Sequence, residues 1–234
     1  MSSVAPLEIT SDATPETVLQ WTYETFSRVA IVASFQAESS VLIDMASRIR
    51  KDVTVLTLDT GRLPQATHDM IDRVRDRYAI DVQVVAPEAA EIEEMVGRHG
   101  VNLFYKSVEN RRLCCDVRKS RPLARALRSY DAWITGLRRQ QASTRTETQV
   151  VAPDREHEGL TKIAPLATWS KDLVWSYIRD HDLPYHSLYD LGYTSIGCAP
   201  CTRATTANED ERAGRWWWEV NEVKECGLHW NAKQ

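Results

Sequence analysis

Five cysteines stand in a pattern that divides into four and one. Cys114 and Cys115 are adjacent, Cys198 and Cys201 form a Cys-x-x-Cys, and Cys226 stands alone near the end of the sequence. The first residues lack the basic-then-apolar order of a secretory signal, so we expect a reducing, cytoplasmic location. In such a compartment clustered cysteines bind metals or catalyse reactions more often than they form disulfides. The spacing therefore predicts one metal centre and one separate thiol.

The four-cysteine set predicts a metal centre held by thiolates. Thiolates suit Zn²⁺ and iron-sulfur clusters alike. Adjacent cysteines must both turn toward one small ion in a zinc site, whereas a cubane offers them separate iron corners. This favours a [4Fe-4S] cluster and leaves zinc open. Arg118 and Lys119 stand beside the Cys114-Cys115 pair, where cations stabilise an anionic cluster, and Lys119 is expected to link that cluster electrostatically to the substrate.

The fifth cysteine is a candidate nucleophile. Cys226 is followed by Gly227, which permits a hinge, and His229 is close enough in sequence to poise the thiol. Arg212 and Arg215 precede it in the same segment, and neighbouring guanidinium groups lower a thiol pKa and orient an anionic electrophile. A cysteine near a chain end is also often inert, and its residue type alone leaves that interpretation open.

Two polar loops follow predicted strands. Their candidate binding residues are Ser34, Phe35, Glu38 and Ser39 after the first strand, and Leu58, Asp59, Thr60 and Gly61 after the second. In parallel α/β sheets ligands bind at the carboxyl ends of strands, where loop amides and helix N-termini favour anions. Helix capping is the alternative role for the serines. The lack of a Gly-x-x-x-x-Gly-Lys run excludes an ordinary P-loop.

An arginine-rich loop follows a later predicted strand. It runs from Gly136 to Arg145 and carries Arg138 and Arg139 as well. Guanidinium groups match phosphate and sulfate oxygens with two parallel hydrogen bonds, which favours an anion site over a merely solvated basic loop.

The elements that must position these residues indicate an α/β fold. Short apolar runs at 29–33, 53–58, 82–85 and 132–135 predict strands, and helical patterns separate them. Such repetition predicts a mainly parallel sheet with helices on both faces. A basic helix is predicted over 108–127, bent at Pro122, and another over 171–180, capped by Ser170. We expect one catalytic domain over 1–234, with its α/β core at 14–183 and a loop-rich tail at 184–234.

Composition bounds the class of protein. With 234 residues, 43% hydrophobic and 26% charged, the chain can bury a full core. The net charge of −4 argues against nucleic-acid binding through bulk electrostatics. No apolar run approaches the roughly 20 residues that span a bilayer, so we expect no membrane segment.

These motifs together resemble the iron-sulfur branch of the assimilatory adenylyl-sulfate reductases. The resemblance covers about residues 29–230 and rests on the five-cysteine pattern and four further runs: Ser34-Phe35-Gln36-Ala37-Glu38-Ser39, Leu58-Asp59-Thr60-Gly61-Arg62-Leu63, Gly136-Leu137-Arg138-Arg139 and Glu225-Cys226-Gly227-Leu228-His229. It implies an adenine-nucleotide α-hydrolase-like (Rossmann-like) fold, with the Ser34 loop and the arginine motif on the phosphosulfate and Asp59-Thr60-Gly61 near the nucleoside.

The same resemblance implies an activity. The chain is expected to reduce adenosine 5′-phosphosulfate to sulfite and AMP in cytoplasmic sulfate assimilation toward cysteine, through an S-sulfocysteine on Cys226. A thioredoxin or glutaredoxin-like protein would supply the electrons, and the enzyme would be a homo-oligomer. Charge on the substrate would be neutralised by Lys119, Arg139, Arg145, Arg212 and Arg215.

Three alternatives stay open. An ATP pyrophosphatase or sulfurylase subunit of the same fold would carry a Ser-Gly-Gly-x-Asp-Ser loop, where this chain has the run from Ser34 to Ser39. A zinc-stabilised binding module would leave the cysteines structural. A reductase of the 3′-phosphorylated nucleotide needs only one additional Arg or Lys contact.

Overall fold

The structure, a computed structural model, describes residues 9–10 and 12–219. Seven α-helices lie within the described residues: α1 Pro15–Thr25, α2 Ala37–Ile49, α3 Gln65–Tyr78, α4 Ala89–His99, α5 Val108–Cys115, α6 Arg121–Leu127 and α7 Lys171–Asp180. Six strands accompany them: β1 Val29–Val32, β2 Val55–Leu58, β3 Val82–Val85, β4 Ala132–Ile134, β5 Val151–Asp154 and β6 Leu160–Ile163. None of these helices is long and apolar enough to cross a membrane.

The strands form one mixed sheet flanked by helices. Its order is β3-β2-β1-β4-β6-β5. Strand β1 pairs in parallel with β2 and with β4, β4 pairs in parallel with β6, and β5 runs antiparallel to its neighbour β6. The mainly parallel sheet predicted from the sequence is therefore confirmed. The β5–β6 hairpin was not predicted, because Pro153 argues against a strand; β5 is an edge strand, where a residue without an N–H is tolerated.

The described residues fall into two compact units. The first takes in the described residues up to 56 together with 70–83 and 129–186, and the second takes in 57–69, 84–128 and 187–219. The first unit holds most of the sheet, and its core includes Ile31 and Trp133, each 1% exposed. The second unit carries all four cysteines of the predicted metal centre.

Helix starts in the first unit follow local sequence. The hydroxyl of Thr14 accepts a hydrogen bond from the backbone N–H of Thr17, and Pro15 occupies the first turn of α1. The predicted cap of α7 is confirmed, since Ser170 accepts from the N–H of Leu173. Helix α2 is buried along most of its length, as expected for a helix that follows the central strand β1.

The basic helix of the second unit differs from its prediction. Instead of one helix bent at Pro122, a π-helical turn over Asp116–Ser120 separates α5 from α6. Pro122 lies in the first turn of α6, where its missing N–H is tolerated. The wide turn, which carries Arg118 and Lys119, therefore absorbs the irregularity before the proline, and π turns of this kind are common at functional sites.

The carboxyl-terminal part of the second unit is loop-rich, as predicted. Between Ser187 and residue 219 the structure has only two short 3₁₀ turns, Ser187–Leu191 and Ala199–Cys201, and an isolated bridge between Thr202 and Arg215. Trp216, Trp217 and Trp218 form turns. Trp216 packs in the interior, where it is 1% exposed.

Candidate active site

The four cysteines of the second unit lie on two short elements. Cys114 and Cys115 end α5, and Cys198 and Cys201 flank the 3₁₀ turn. All four are free thiols; Cys115 is partly exposed and the other three are buried. Together these four residues are called the cysteine site below.

The cysteine site is embedded in an apolar cluster. Cys114, Cys198 and Cys201 share this cluster with Phe104 and Trp216, and Cys115 packs against it. Residues from α5 and from the carboxyl-terminal loops thus meet around the sulfur atoms. The structure thus packs the two cysteine pairs into one cluster, and their role as ligands of one metal centre stays a prediction.

Polar groups reach the cysteine site from the turn after β2. The Oγ1 of Thr60 lies 3.2 Å from the Sγ of Cys198. Arg118 donates from Nη1 to the carbonyl oxygen of Thr60 at 2.6 Å, and Ala199 donates its N–H to the carbonyl oxygen of Arg62 at 2.8 Å. Gly61 has a φ of 68°, a left-handed conformation that a residue with a Cβ adopts only under strain. This turn therefore holds the Cys198 loop against α5.

Burial and charge act in opposite directions on these thiols. Burial, reinforced by the nearby Cys198, raises the pKa of Cys201 to about 12, while Arg215 and Lys119 act to lower it. Burial likewise raises the pKa of the Cys114 thiol above its ordinary value, against the opposing charge of Arg118. Metal coordination removes this penalty, because a coordinated thiol is deprotonated outright.

The donors of the cysteine site suit an iron-sulfur cluster, because all four are thiols. Among the described residues, no three His, Cys, Asp or Glu side chains are grouped so that they could hold one metal ion. A cubane keeps its ligand sulfurs farther apart than a mononuclear ion does and brings its own sulfide acceptors. Two buried donor atoms, the indole Nε1 of Trp216 and the Nε of Arg118, have no hydrogen-bond acceptor among the described residues. Both donors belong to the surroundings of the cysteine site.

Asp59 closes the turn that follows β2. Leu58 is the last residue of that strand, and the next residue, Asp59, donates its N–H to the carbonyl oxygen of Val85. Its Oδ1 accepts from the N–H of Gly61 at 2.9 Å, and its Oδ2 lies 3.2 Å from Nε2 of His68. The side chain is thus oriented from two sides, and His68 is a neighbour that sequence reasoning did not single out.

In the first unit, the Ser34 loop leads from β1 into α2. Phe35 is fully buried and has a φ of 56°, a strained conformation for a bulky residue that the surrounding packing must hold. The N–H of Ser34 donates to the Oγ of Ser39 at 3.2 Å. Gln36 is the N-cap residue of α2, yet its side-chain amide donates to Ser34 Oγ instead of capping the helix. Side-chain capping therefore does not account for this loop.

Four side chains of the first unit form a buried polar network, called the arginine network below. Arg138 donates from Nε to Oε1 of Glu38 at 2.7 Å, and Gln141 donates from Nε2 to the same oxygen at 3.0 Å. The Oε1 of Gln141 accepts from Nη1 of Arg145 at 2.6 Å. The contact with Glu38 therefore orients the guanidinium group of Arg138. A Cβ at Gly136 would lie 2.8 Å from the Cβ of Glu38, so only glycine permits this approach.

Arg139 and the two later arginines have other neighbours. Arg139 donates from Nε to the carbonyl oxygen of Thr148 at 2.8 Å. In the second unit Arg215 is 5% exposed, and its Nε donates to the carbonyl oxygen of Cys201 at 3.3 Å. The guanidinium carbon of Arg212 lies 6.0 Å from the ring centre of Trp216. The structure thus places Arg215 and Arg212 beside the cysteine-site tryptophan.

Two predicted site residues lie outside the described part of the chain, and three further residues with notable contacts were not predicted. The predicted nucleophile Cys226 and its neighbour His229 lie outside the described residues. Sequence reasoning did not identify Gln141, although its place in the arginine-rich loop was a usable signal. It also missed the ion pair of Arg111 with Glu219, for which no local sequence signal exists.

Comparison with known proteins identifies the family. The phosphoadenosine phosphosulfate reductase domain matches residues 28–204. The adenosine 5′-phosphosulfate reductase of Allochromatium vinosum is 49% identical over 204 residues, which cover 86% of this chain and 78% of that protein. A protein of the same name from Pseudomonas aeruginosa is 41% identical over 224 residues, which cover 94% and 83%.

Solved structures agree with this assignment. The phosphoadenylyl-sulfate (PAPS) reductase of Candida auris, in complex with phosphate, is 31% identical with a TM-score of 0.70, covering 82% of this chain and 91% of that one. The FMN adenylyltransferase of Candida glabrata in complex with ATP is 14% identical with a TM-score of 0.58, covering 88% and 71%, and supports the fold alone. This chain belongs to the phosphoadenosine phosphosulfate reductase domain family.

Proposed function

We propose that this protein reduces adenosine 5′-phosphosulfate to sulfite and AMP, with thioredoxin or a glutaredoxin-like protein as electron donor. The observation that carries the proposal is the packing of Cys114, Cys115, Cys198 and Cys201 in one apolar cluster, in a chain 49% identical to a protein named for this activity. Sulfate assimilation in the cytoplasm, by a homo-oligomer, is the setting we infer.

Each unit, taken by itself, carries positively charged side chains that are candidates for binding an anion. In the first unit Arg138, Arg139 and Arg145 follow β4, and Ser34 and Ser39 precede or open α2. Ligands bind at the carboxyl ends of parallel strands, and helix N-termini there favour anions. The pairing of Glu38 with Arg138 fixes the guanidinium plane in advance, which lowers the cost of ordering it on binding. In the second unit Lys119, Arg212 and Arg215 add positive charge.

Cys226 is the proposed nucleophile. Its thiolate attacks the sulfur of the sulfate group, the bond between that sulfur and the bridging phosphate oxygen breaks, and AMP leaves with the electron pair. The enzyme then carries an S-sulfocysteine. Because an anion attacks an anion, neutralising the charge on the sulfuryl group and on the leaving phosphate is the largest contribution that we expect from the protein.

A reductant dithiol completes the reaction. Its thiolate attacks the Sγ of Cys226, and sulfite leaves with the electron pair of the broken sulfur-sulfur bond. The second thiol of the donor then attacks the mixed disulfide, which releases Cys226 as a thiol and leaves the donor oxidised.

The cysteine site is the proposed ligand set of a [4Fe-4S] cluster. When bound, this group supplies fixed local charge to the substrate environment without changing its oxidation state. Thr60, Arg118 and Trp216 lie around its ligands and orient the Cys198 loop and α5. Lys119, close enough to Cys201 to lower its pKa, is the proposed link between these ligands and the substrate.

The 3′-phosphorylated nucleotide is the second candidate substrate. The 31% identity to the Candida auris PAPS reductase favours this substrate. The higher identity, 49%, to a bacterial protein named for the unphosphorylated nucleotide favours the first candidate. Initial rates of sulfite release from each nucleotide, with reduced thioredoxin and anaerobically purified enzyme, test the choice. We expect kcat/KM to be higher for adenosine 5′-phosphosulfate; a preference for the 3′-phosphorylated form, or no sulfite from either, would overturn the proposal.

A further inference from the structure

A glutamine amide lies at the centre of the arginine network. The Oε1 of Gln141 accepts from the backbone N–H of Arg138 at 3.1 Å and from Nη1 of Arg145 at 2.6 Å. Its Nε2 donates to Oε1 of Glu38 at 3.0 Å and to the carbonyl oxygen of Gly136 at 3.4 Å. A side-chain amide has one accepting end and one donating end. Gln141 therefore meets donors with its oxygen and acceptors with its nitrogen, which fixes the orientation of the amide.

The chain places this amide between two buried arginines. Gln141 ends the 3₁₀ turn that follows β4, and the next 3₁₀ turn ends at Arg145. Arg138 is 1% exposed and Arg145 is 8% exposed. Arginine side chains have many rotamers in solution, and ordering them when a ligand binds costs free energy. Contact with a fixed amide lowers that cost, because it restricts the arginines before the ligand arrives.

Closing the turn is a less complete explanation of these contacts. A glutamine that only closed the turn would need its bond to the backbone N–H of Arg138. The bonds to Arg145 and Glu38 join side chains that lie outside that turn. The amide is also uncharged, so it orients Arg145 without adding a negative charge that would repel a bound anion.

We propose that Gln141 is a positioning residue for anion binding by Arg138 and Arg145. Its amide joins the backbone of the first arginine to the guanidinium group of the second, and holds both before the nucleotide binds. This inference rests on the proposed function, in which these arginines bind the phosphosulfate group. A carboxylate at this position would repel Glu38 and offset the charge of Arg145, and an apolar side chain would orient neither arginine.

The test compares the binding of ADP and of adenosine to the holoenzyme by equilibrium dialysis. ADP carries a second phosphate where adenosine 5′-phosphosulfate carries sulfate, and adenosine carries no anionic group. The variant Gln141→Met keeps the length of the side chain and removes both ends of the amide. Gln141→Glu replaces the donating end by an oxygen and keeps the test valid should the first variant fail to fold. Gln140→Met is the matched control, because it makes the same change at the exposed neighbouring glutamine.

We expect both Gln141 variants to raise the Kd for ADP about fivefold or more, and to leave the Kd for adenosine within about twofold of the wild type. The kcat/KM for sulfite release from adenosine 5′-phosphosulfate should fall by a similar factor, and Gln140→Met should match the wild type throughout. Equal rises in both Kd values, or an unchanged Kd for ADP in a folded variant, overturn the positioning role alone. A wild type that binds ADP and releases no sulfite overturns the proposed function, whatever the Kd values of the variants.

Discussion

The hydroxyl of Thr60 lies 3.2 Å from the Sγ of Cys198, a residue 138 positions later in the chain. The same oxygen accepts the N–H of Arg62 at 3.2 Å. One threonine thus fixes its own turn and contacts a proposed cluster ligand.

Replacing Thr60 with valine keeps the shape and removes both polar contacts. Because the partly buried N–H of Arg62 loses its acceptor, we expect the free energy of unfolding to fall by about 1 kcal/mol. Iron should also be lost faster in air, since a polar neighbour of the Cys198 sulfur is gone. Urea titration and timed iron analysis measure the two effects. Thr60→Ser, which keeps the hydroxyl, should resemble the wild type; equal iron loss in the valine and serine variants would contradict the assigned role.

The pair of Glu38 with Arg138 gives a prediction for the first unit. In Glu38→Gln the guanidinium of Arg138, whose side chain is 1% exposed, loses its counter-charge in a buried position. We expect a loss of about 3–5 kcal/mol in the free energy of unfolding and weaker nucleotide binding. The exposed pair of Arg28 with Asp131 supplies a control, because its side chains are 62% and 33% exposed. If Asp131→Asn destabilises as much as Glu38→Gln in the same urea titration, burial is not what makes the first pair important.

A carboxylate in the β5–β6 hairpin predicts how stability depends on pH. Burial acts to raise the pKa of Asp154, but the hydrogen bond and charge of His157 and the charge of Lys162 outweigh it and hold the pKa below its ordinary value. A depressed pKa contributes stability above the unfolded-state value of about 4 and loses it as the pH falls through the folded-state value. Urea midpoints below pH 4 should therefore fall less steeply in Asp154→Asn than in the wild type. Identical acid profiles for the two proteins would contradict this.

Lys119 gives a prediction about catalysis. Its charge acts on Cys201 from the π-helical turn, so its removal should leave the fold and cluster loading intact while weakening electrostatic support for the reaction. We expect Lys119→Ala to lower kcat/KM about tenfold or more. Lys119→Arg keeps a cation and should recover part of the rate. Steady-state rates of sulfite release measure this effect. If Lys119→Ala has the kcat/KM of the wild type, Lys119 has no role in the reaction.

What the sequence predicts correctly here is mostly local. The alternation of apolar runs and helical patterns suffices for the parallel strands. The structure packs Cys114 and Cys198 in one apolar cluster, and their role as metal ligands stays a prediction. The π-helical turn was missed because its position depends on packing along the whole segment before Pro122. The edge strand β5 was missed because Pro153 disfavours strands in general, and only its place at the sheet edge makes it acceptable.

Contacts between residues that are distant in the sequence could not be predicted for a different reason. Arg111 and Glu219 are separated by 108 positions, and each residue type alone suggests an exposed side chain. The fold buries the two side chains against each other, and a single sequence does not reveal which distant residues become neighbours. Glu38 was predicted to bind substrate for its place in the loop, and its contact with Arg138 became visible only with coordinates.

In the proposed mechanism Cys226 takes the sulfonyl group from the nucleotide. Its replacement by serine should give a folded protein, with its iron, that makes no sulfite, because a hydroxyl is a far weaker nucleophile than a thiolate. Normal sulfite release by this variant would exclude the residue as nucleophile.

Mass spectrometry of the enzyme after incubation with adenosine 5′-phosphosulfate, without any reductant, detects the S-sulfocysteine itself. We predict a mass increase of one sulfonate group, confined to the peptide that contains Cys226, absent from Cys226→Ser and reversed by reduced thioredoxin. An unmodified Cys226 peptide, or the same mass increase on a peptide from elsewhere in the chain, would contradict the account.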